Sequence, residues 1–171
     1  MATPVSIDPQ EGEALSSSRG VSAWLEGPLI AWGLPLNLLW ELAHSPLYAD
    51  HSAGLRYLLW TRVHCTVGDV LILLAAFWVT AALHRSRRWP HTRGAGAAVT
   101  FVGLGLAYTA WSEWMNTTVR QAWAYGPAMP QIAGVGLAPL LQWLVVPVLL
   151  LVLMRRRTPR DEAHVDSRGS A

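Results

Sequence analysis

Asn37-Leu-Leu-Trp-Glu41-Leu-Ala-His44 closes an apolar run that is too long and too greasy for a helix in water. Asn37, Glu41 and His44 stand at i, i+4 and i+7, so a helix carries all three on one face. Ionisable groups at membrane depth are costly, and they mark functional sites. The chain is therefore expected to be an all-α integral membrane protein whose four-helix bundle encloses a polar pocket.

Composition points the same way. Of 171 residues, 52% are hydrophobic and 14% are charged, where a soluble domain carries about 25% charge. Mean hydropathy is +0.27. Four spans are expected at about 24–44, 64–83, 95–116 and 134–154, each near the ~20 residues that cross ~30 Å of hydrocarbon. Together they make one transmembrane domain, 23–157. A polar tail, 1–22, precedes it and a charged tail, 158–171, follows; both read as disordered. The first tail is acidic rather than basic before the apolar run, unlike a cleavable signal. Pro35 should kink the first span, and Gly96, Gly103 and Gly105 should let the third approach a neighbour closely. Cys65 is the only cysteine, so no internal disulfide forms.

Every basic side chain apart from histidine is Arg. With four spans, the N-terminus, the middle loop and the C-terminus share one side. Those segments hold ten arginines: Arg19, Arg85, Arg87, Arg88, Arg93, Arg155, Arg156, Arg157, Arg160 and Arg168. The other side holds three, Arg56, Arg62 and Arg120. Positive charge collects on the cytoplasmic face, so both termini are expected there, in a multi-pass protein of the inner (plasma) membrane. The sequence pI of about 9.1 then reflects topology and contact with membrane lipids, not nucleic-acid binding.

Orientation fixes depth. Glu41 with Asn37, Asp69 with Cys65, Glu113 with Asn116, and Gln142 all fall in the outer half of their spans. Polar groups sharing a depth are expected to face one another in a buried, partly hydrated pocket. An internal echo accompanies them: Glu41 to Glu113 and Gly33 to Gly105 are both 72 positions apart, and Asp69 to Gln142 is 73. The bundle reads as a possible tandem pair of helical hairpins.

Two chemistries suit such a pocket. Glu41-x-x-His44 has the i, i+3 spacing of metal–carboxylate sites in helical bundles. A single divalent ion would be held by Glu41, His44, Asp69 and Glu113, with His64 or Cys65 as a further ligand. The alternative is acid–base work by Glu41 and Glu113 with Asp69 tuning them. Trp40, Trp111, Trp114 and Trp143 are expected around these acids, where indole faces stabilise cations. Trp24, Trp60, Trp89 and Trp123 read as interfacial belt residues. The loop Trp123-Ala-Tyr-Gly-Pro-Ala-Met-Pro130 is stiff enough to cap the outer face.

The runs Asn37…Trp40-Glu41…Pro46-Leu-Tyr48, Cys65…Gly68-Asp69 and Glu113-Trp-Met-Asn…Pro139-Leu-Leu-Gln-Trp143 carry a resemblance. Across residues 30–147 the chain resembles small uncharacterised four-helix membrane proteins of bacteria. In acid, aromatic and Pro placement it is loosely similar to the membrane-embedded sterol isomerases and lycopene cyclases. That second resemblance implies buried acids acting on an isoprenoid. The expectations are therefore an enzyme of acid–base chemistry on a lipid or isoprenoid, or a small transport or metal-binding protein. Four helices are narrow, so transport implies a homodimer. A third expectation is an accessory protein whose polar cluster only holds helices together.

Overall fold

The computed structural model of the chain describes residues 25–91 and 94–166, with side chains up to Arg156. The expected tail 1–22 and the end of the chain past Asp166 lie outside these residues. Four long helices dominate: α1 Glu26–His44, α2 Leu55–Leu83, α3 Ala95–Trp114 and α4 Leu137–Asp166. The all-α expectation holds. Helix α1 packs on α2 and α4, and α3 packs on the same two, closing a ring of four.

Three helices are long and apolar enough to cross a membrane: Leu55–Leu83, Ala95–Val119 and Leu137–Arg156. Helix α1, expected as the fourth span, is not among them, because two prolines, Asn37, Glu41 and His44 dilute its 19 residues. It is held by its neighbours. Gly33 brings α1 close to α2, where an added Cβ would lie 3.4 Å from Leu73 and 3.7 Å from Val70.

Two boundaries differ from expectation. Helix α2 starts at Leu55, not 64, because Gly54 turns the chain with φ 102° and no proline stands between it and Leu83. Arg56 and Arg62, expected in a loop, are therefore helical. Helix α4 runs past its apolar stretch to Asp166, into the segment expected as a disordered tail.

The core is aromatic and aliphatic, with Leu29, Leu73, Phe77, Phe101, Trp143 and Leu150 at its centre. Trp89, expected in an interfacial belt, is buried between Phe77 and Phe101, at ring distances of 5.7 and 5.1 Å. Gly105 of α3 accepts the Trp143 ring of α4 where a Cβ would stand. Outward faces carry Leu39, Leu71, Leu83 and Val99, all mostly exposed.

The site end is closed by two connections that pair with each other. Met115–Val119 continues α3 as a π turn, with Arg120 N–H donating to the Met115 carbonyl at 2.8 Å. A two-stranded hairpin, β1 Gln131–Ile132 and β2 Val135–Gly136, precedes α4. Its turn takes positive φ at Ala133 (50°) and Gly134 (79°), the mirror-image turn that matches strand twist. Tyr48 and Tyr125 form an antiparallel bridge between the connections. Ala49 N–H donates to the Ala124 carbonyl at 3.0 Å, and Gly126 N–H to that of Leu47 at 2.8 Å.

Candidate functional site

A cavity of about 290 Å³ lies under this roof, and Glu41, Asp69 and Glu113 all line it. The convergence expected from shared depth is present: α1, α2 and α3 each contribute one carboxyl group, and Gln142 and Trp143 of α4 complete the wall.

The three acids have different partners. Glu41 is 6% exposed and has the His44 Nε2 3.3 Å and an Arg62 Nη 3.7 Å from its Oε2. Arg62 is 3% exposed, donates to Asp50 at 2.9 Å, and lies 4.9 Å over the Tyr48 ring. Asp69 meets only an amide: Gln142 Nε2 donates to its Oδ2 at 2.8 Å. The same Gln142 nitrogen donates to Asn37 Oδ1 at 2.9 Å, while Asn37 Nδ2 donates to the Gly33 carbonyl at 2.8 Å. Gln142 therefore donates both ways, to Asp69 and to Asn37, and Asn37 is in turn anchored on the Gly33 carbonyl. Glu113 meets the roof. Tyr125 donates its phenolic hydrogen to Oε2 at 2.5 Å, and Trp123 Nε1 reaches the same oxygen at 3.4 Å.

The roof phenols feel this charge. Burial, then the carboxylates of Glu113 and Glu41 and the Tyr125 phenol, push Tyr48 far above the usual tyrosine range; Arg62 pulls it the other way. Burial and the bond to Glu113 push Tyr125 up as well, opposed by contacts with Gly136 and Thr117. Both hydroxyls therefore stay protonated and remain donors across the physiological range.

Other expected pocket residues divide. Cys65 lines the cavity and is half-buried; His64 is exposed at its rim, its ring 6.5 Å from that of Trp60. Asn37 and Gln142 are buried and engaged with each other, so they support the acid rather than wait for a ligand. Trp40 straps α1 to α4 by donating to the Ala138 carbonyl at 3.2 Å. Trp111 and Trp114 are 52% and 44% exposed and face away from the acids. Asn116 turns back on Ser112 within the π turn. The aromatic wall consists instead of Tyr48, Tyr108, Trp123 and Trp143.

The expected metal set does not assemble. Among the described residues no three His, Cys, Asp or Glu side chains gather to hold an ion. His44 touches Glu41, yet the Arg62 guanidinium stands at the same carboxylate oxygen, where a divalent cation would be repelled. His64 is elsewhere. A divalent ion does not fit this arrangement.

Sequence reasoning passed over Arg62, Tyr48 and Tyr108 as pocket residues, and it read Trp123 and Tyr125 only as part of a capping loop. Arg62 was legible: Arg62, Cys65 and Asp69 stand at i, i+3 and i+7 on one helical face, as do Asn37, Glu41 and His44 at i, i+4 and i+7. The pairing of Tyr48 with Tyr125 was not, because a bridge between two loops leaves no periodic trace. Comparison of the chain with protein-family models, curated proteins and solved structures gives no match, so the site stands on its own chemistry.

Proposed function

We propose that this is a multi-pass membrane protein that performs acid–base chemistry on a lipid or isoprenoid in the cavity under its outer-face roof. The observation that carries the reading is the opening of three carboxyl groups from three helices onto one cavity that Tyr48, Tyr108, Trp123 and Trp143 also line. Topology supports it. Arg85, Arg87, Arg88, Arg155 and Arg156 lie at the bundle end opposite the cavity, where Arg155 Nε donates to the Pro90 carbonyl at 2.8 Å. Arg62 belongs to the buried cluster, which among the described residues leaves Arg56 and Arg120 as the other arginines at the site end. Positive-inside bias supports a topology with both termini in the cytoplasm and the cavity in the outer half of the inner membrane.

The partners assign roles. Asp69, held by a neutral amide, donates a proton to one carbon of a substrate double bond. The positive charge that develops on the neighbouring carbon faces the Tyr108 and Trp143 rings and the Glu113 carboxylate. Glu41, whose charge is matched by Arg62, accepts a proton from the adjacent carbon. The double bond moves by one position, one proton enters and one leaves, and return of the proton from Glu41 to Asp69 resets the site.

The test is proton exchange in deuterium oxide. Purified protein is mixed with a total lipid extract of the source cells in detergent, and the lipids are analysed by mass spectrometry. One lipid class should gain deuterium with wild type, and the gain should vanish with Asp69→Asn or Glu41→Gln in folded protein. No lipid labelled above a protein-free control would sink the reading.

A further inference from the structure

The bridged connections and the side chains of Tyr48 and Trp123 cover the end of the cavity. Its flank is the wall between α2 and α3. On α2 it is built from His64, Cys65, Gly68 and Ile72, one stripe at helical spacing; on α3 it is built from Tyr108 and Ser112, one turn apart. His64 is exposed and Tyr108 is 45% exposed, although both belong to helices apolar enough to span a membrane. Gly68 stands in the middle of this gap, and a Cβ added to it would meet nothing within 4 Å. The helix surface beside the gap is apolar, with Val67, Leu71 and Trp111 facing outward.

We infer that the cavity is loaded sideways from the bilayer, through a portal between α2 and α3 with Gly68 as its threshold. Its ligand is therefore a membrane-dissolved amphiphile and not a solute of the aqueous phase. This inference rests on the membrane-embedded reading above and names the substrate class of the same site. The volume agrees. About 290 Å³ is at the small end of ligand cavities, roughly 300–1,000 Å³. One end of a lipid fits, and the rest of the molecule stays among the acyl chains outside the portal.

The protein carries its own reporter, because Cys65 is the only thiol and sits three residues from Gly68 on the cavity wall. Protein is reconstituted into phosphatidylcholine vesicles, recovered by flotation, and treated with either an apolar maleimide or a sulfonated one. Mass spectrometry follows Cys65 modification. The apolar reagent should modify wild type faster by about tenfold, and Gly68→Phe should slow it by about tenfold, the effect of a small added barrier. Gly68→Ala should leave its rate unchanged. Tyr108→Ala, which widens the gap, should raise it and serves if Gly68→Phe does not fold. Faster modification by the sulfonated reagent overturns the portal, as does an unchanged rate in folded Gly68→Phe. Failure to float with the vesicles rejects the membrane reading itself. Labelling as expected without proton exchange rejects the acid–base reading and leaves the portal standing.

Discussion

Arg62 is the residue on which the charge balance of the site turns. It is buried between Glu41 and Asp50, and removing it strands two carboxylates. Breaking a buried pair from one side costs about 3–5 kcal/mol. Arg62→Met should therefore destabilise the protein by that order in reversible unfolding from mild detergent, well beyond Glu41→Gln, which leaves Asp50 on the guanidinium. Equal losses would show that the cluster is not organised by Arg62. The amide chain makes a sharper prediction. Gln142→Leu leaves Asn37 Oδ1 and Asp69 without their donor, at about 1–3 kcal/mol, whereas Asn37→Leu leaves Gln142 on Asp69 and should cost less. The double variant removes the Asn37 orphan and should cost less than the sum, with a coupling of about 0.5–3 kcal/mol in a double-mutant cycle. Strict additivity would separate Asn37 from Gln142. At this scale the sequence was informative wherever helical spacing applied, as for Glu41, Asp69, Glu113 and Gln142. It misled for Trp111 and Trp114, because proximity in sequence to Glu113 does not decide which side of α3 a ring takes.

Among the elements, two glycines with the same local sequence signal behave oppositely. Gly105 holds the Trp143 ring where a Cβ would stand, whereas Gly68 faces open space. Gly105→Ala should cost about 1–3 kcal/mol by overpacking, and Gly68→Ala should be neutral or gain up to about 1 kcal/mol from helix propensity. A pair of unfolding curves checks this; destabilisation by both would mean that α2 is crowded at the proposed portal. The roof makes a prediction in pH. Burial and nearby carboxylates raise the Tyr48 and Tyr125 phenols, so the folded protein holds these protons after the unfolded chain has lost them. Their contribution is complete below pH ~10, the ordinary tyrosine value, and is lost as pH rises above it. Unfolding free energy should fall through that window in wild type and fall less in Tyr48→Phe/Tyr125→Phe. Identical slopes would mean that the phenols ionise alike in both states. The π turn and the hairpin were not legible, since each is decided by how the roof meets the bundle.

Over the whole molecule, the outward surface is apolar and the polar groups are collected inside one end, the inverse of a soluble bundle. The 72-residue echo has physical counterparts. Gly33 packs on α2 and Gly105 on α4, each glycine against the helix that follows its own. Ser45 donates to the Glu41 carbonyl at 2.8 Å, and Thr117, 72 positions on, donates to that of Glu113 at 2.7 Å. Asp69 and Gln142 meet directly. The proposed topology predicts that reporters fused to the two ends of the chain fall on the same, cytoplasmic side, and that the protein stays with the membrane after alkaline carbonate washing. Release by carbonate would reject the membrane reading, and reporters on opposite sides would remove α1 from the set of spans.

Sequence alone determined the helical class and three of the four apolar helices expected to be long enough for a membrane, because hydropathy, helical period and chain length are local quantities. Tertiary structure decided which acid has a cation, which has an amide and which has a phenol. Those partners come from other helices and from two loops that bridge only when the bundle closes. It also decided that the cavity has a roof and that Gly68 faces open space in the wall between α2 and α3: such a wall is a property of the spacing of two helices, which neither encodes by itself.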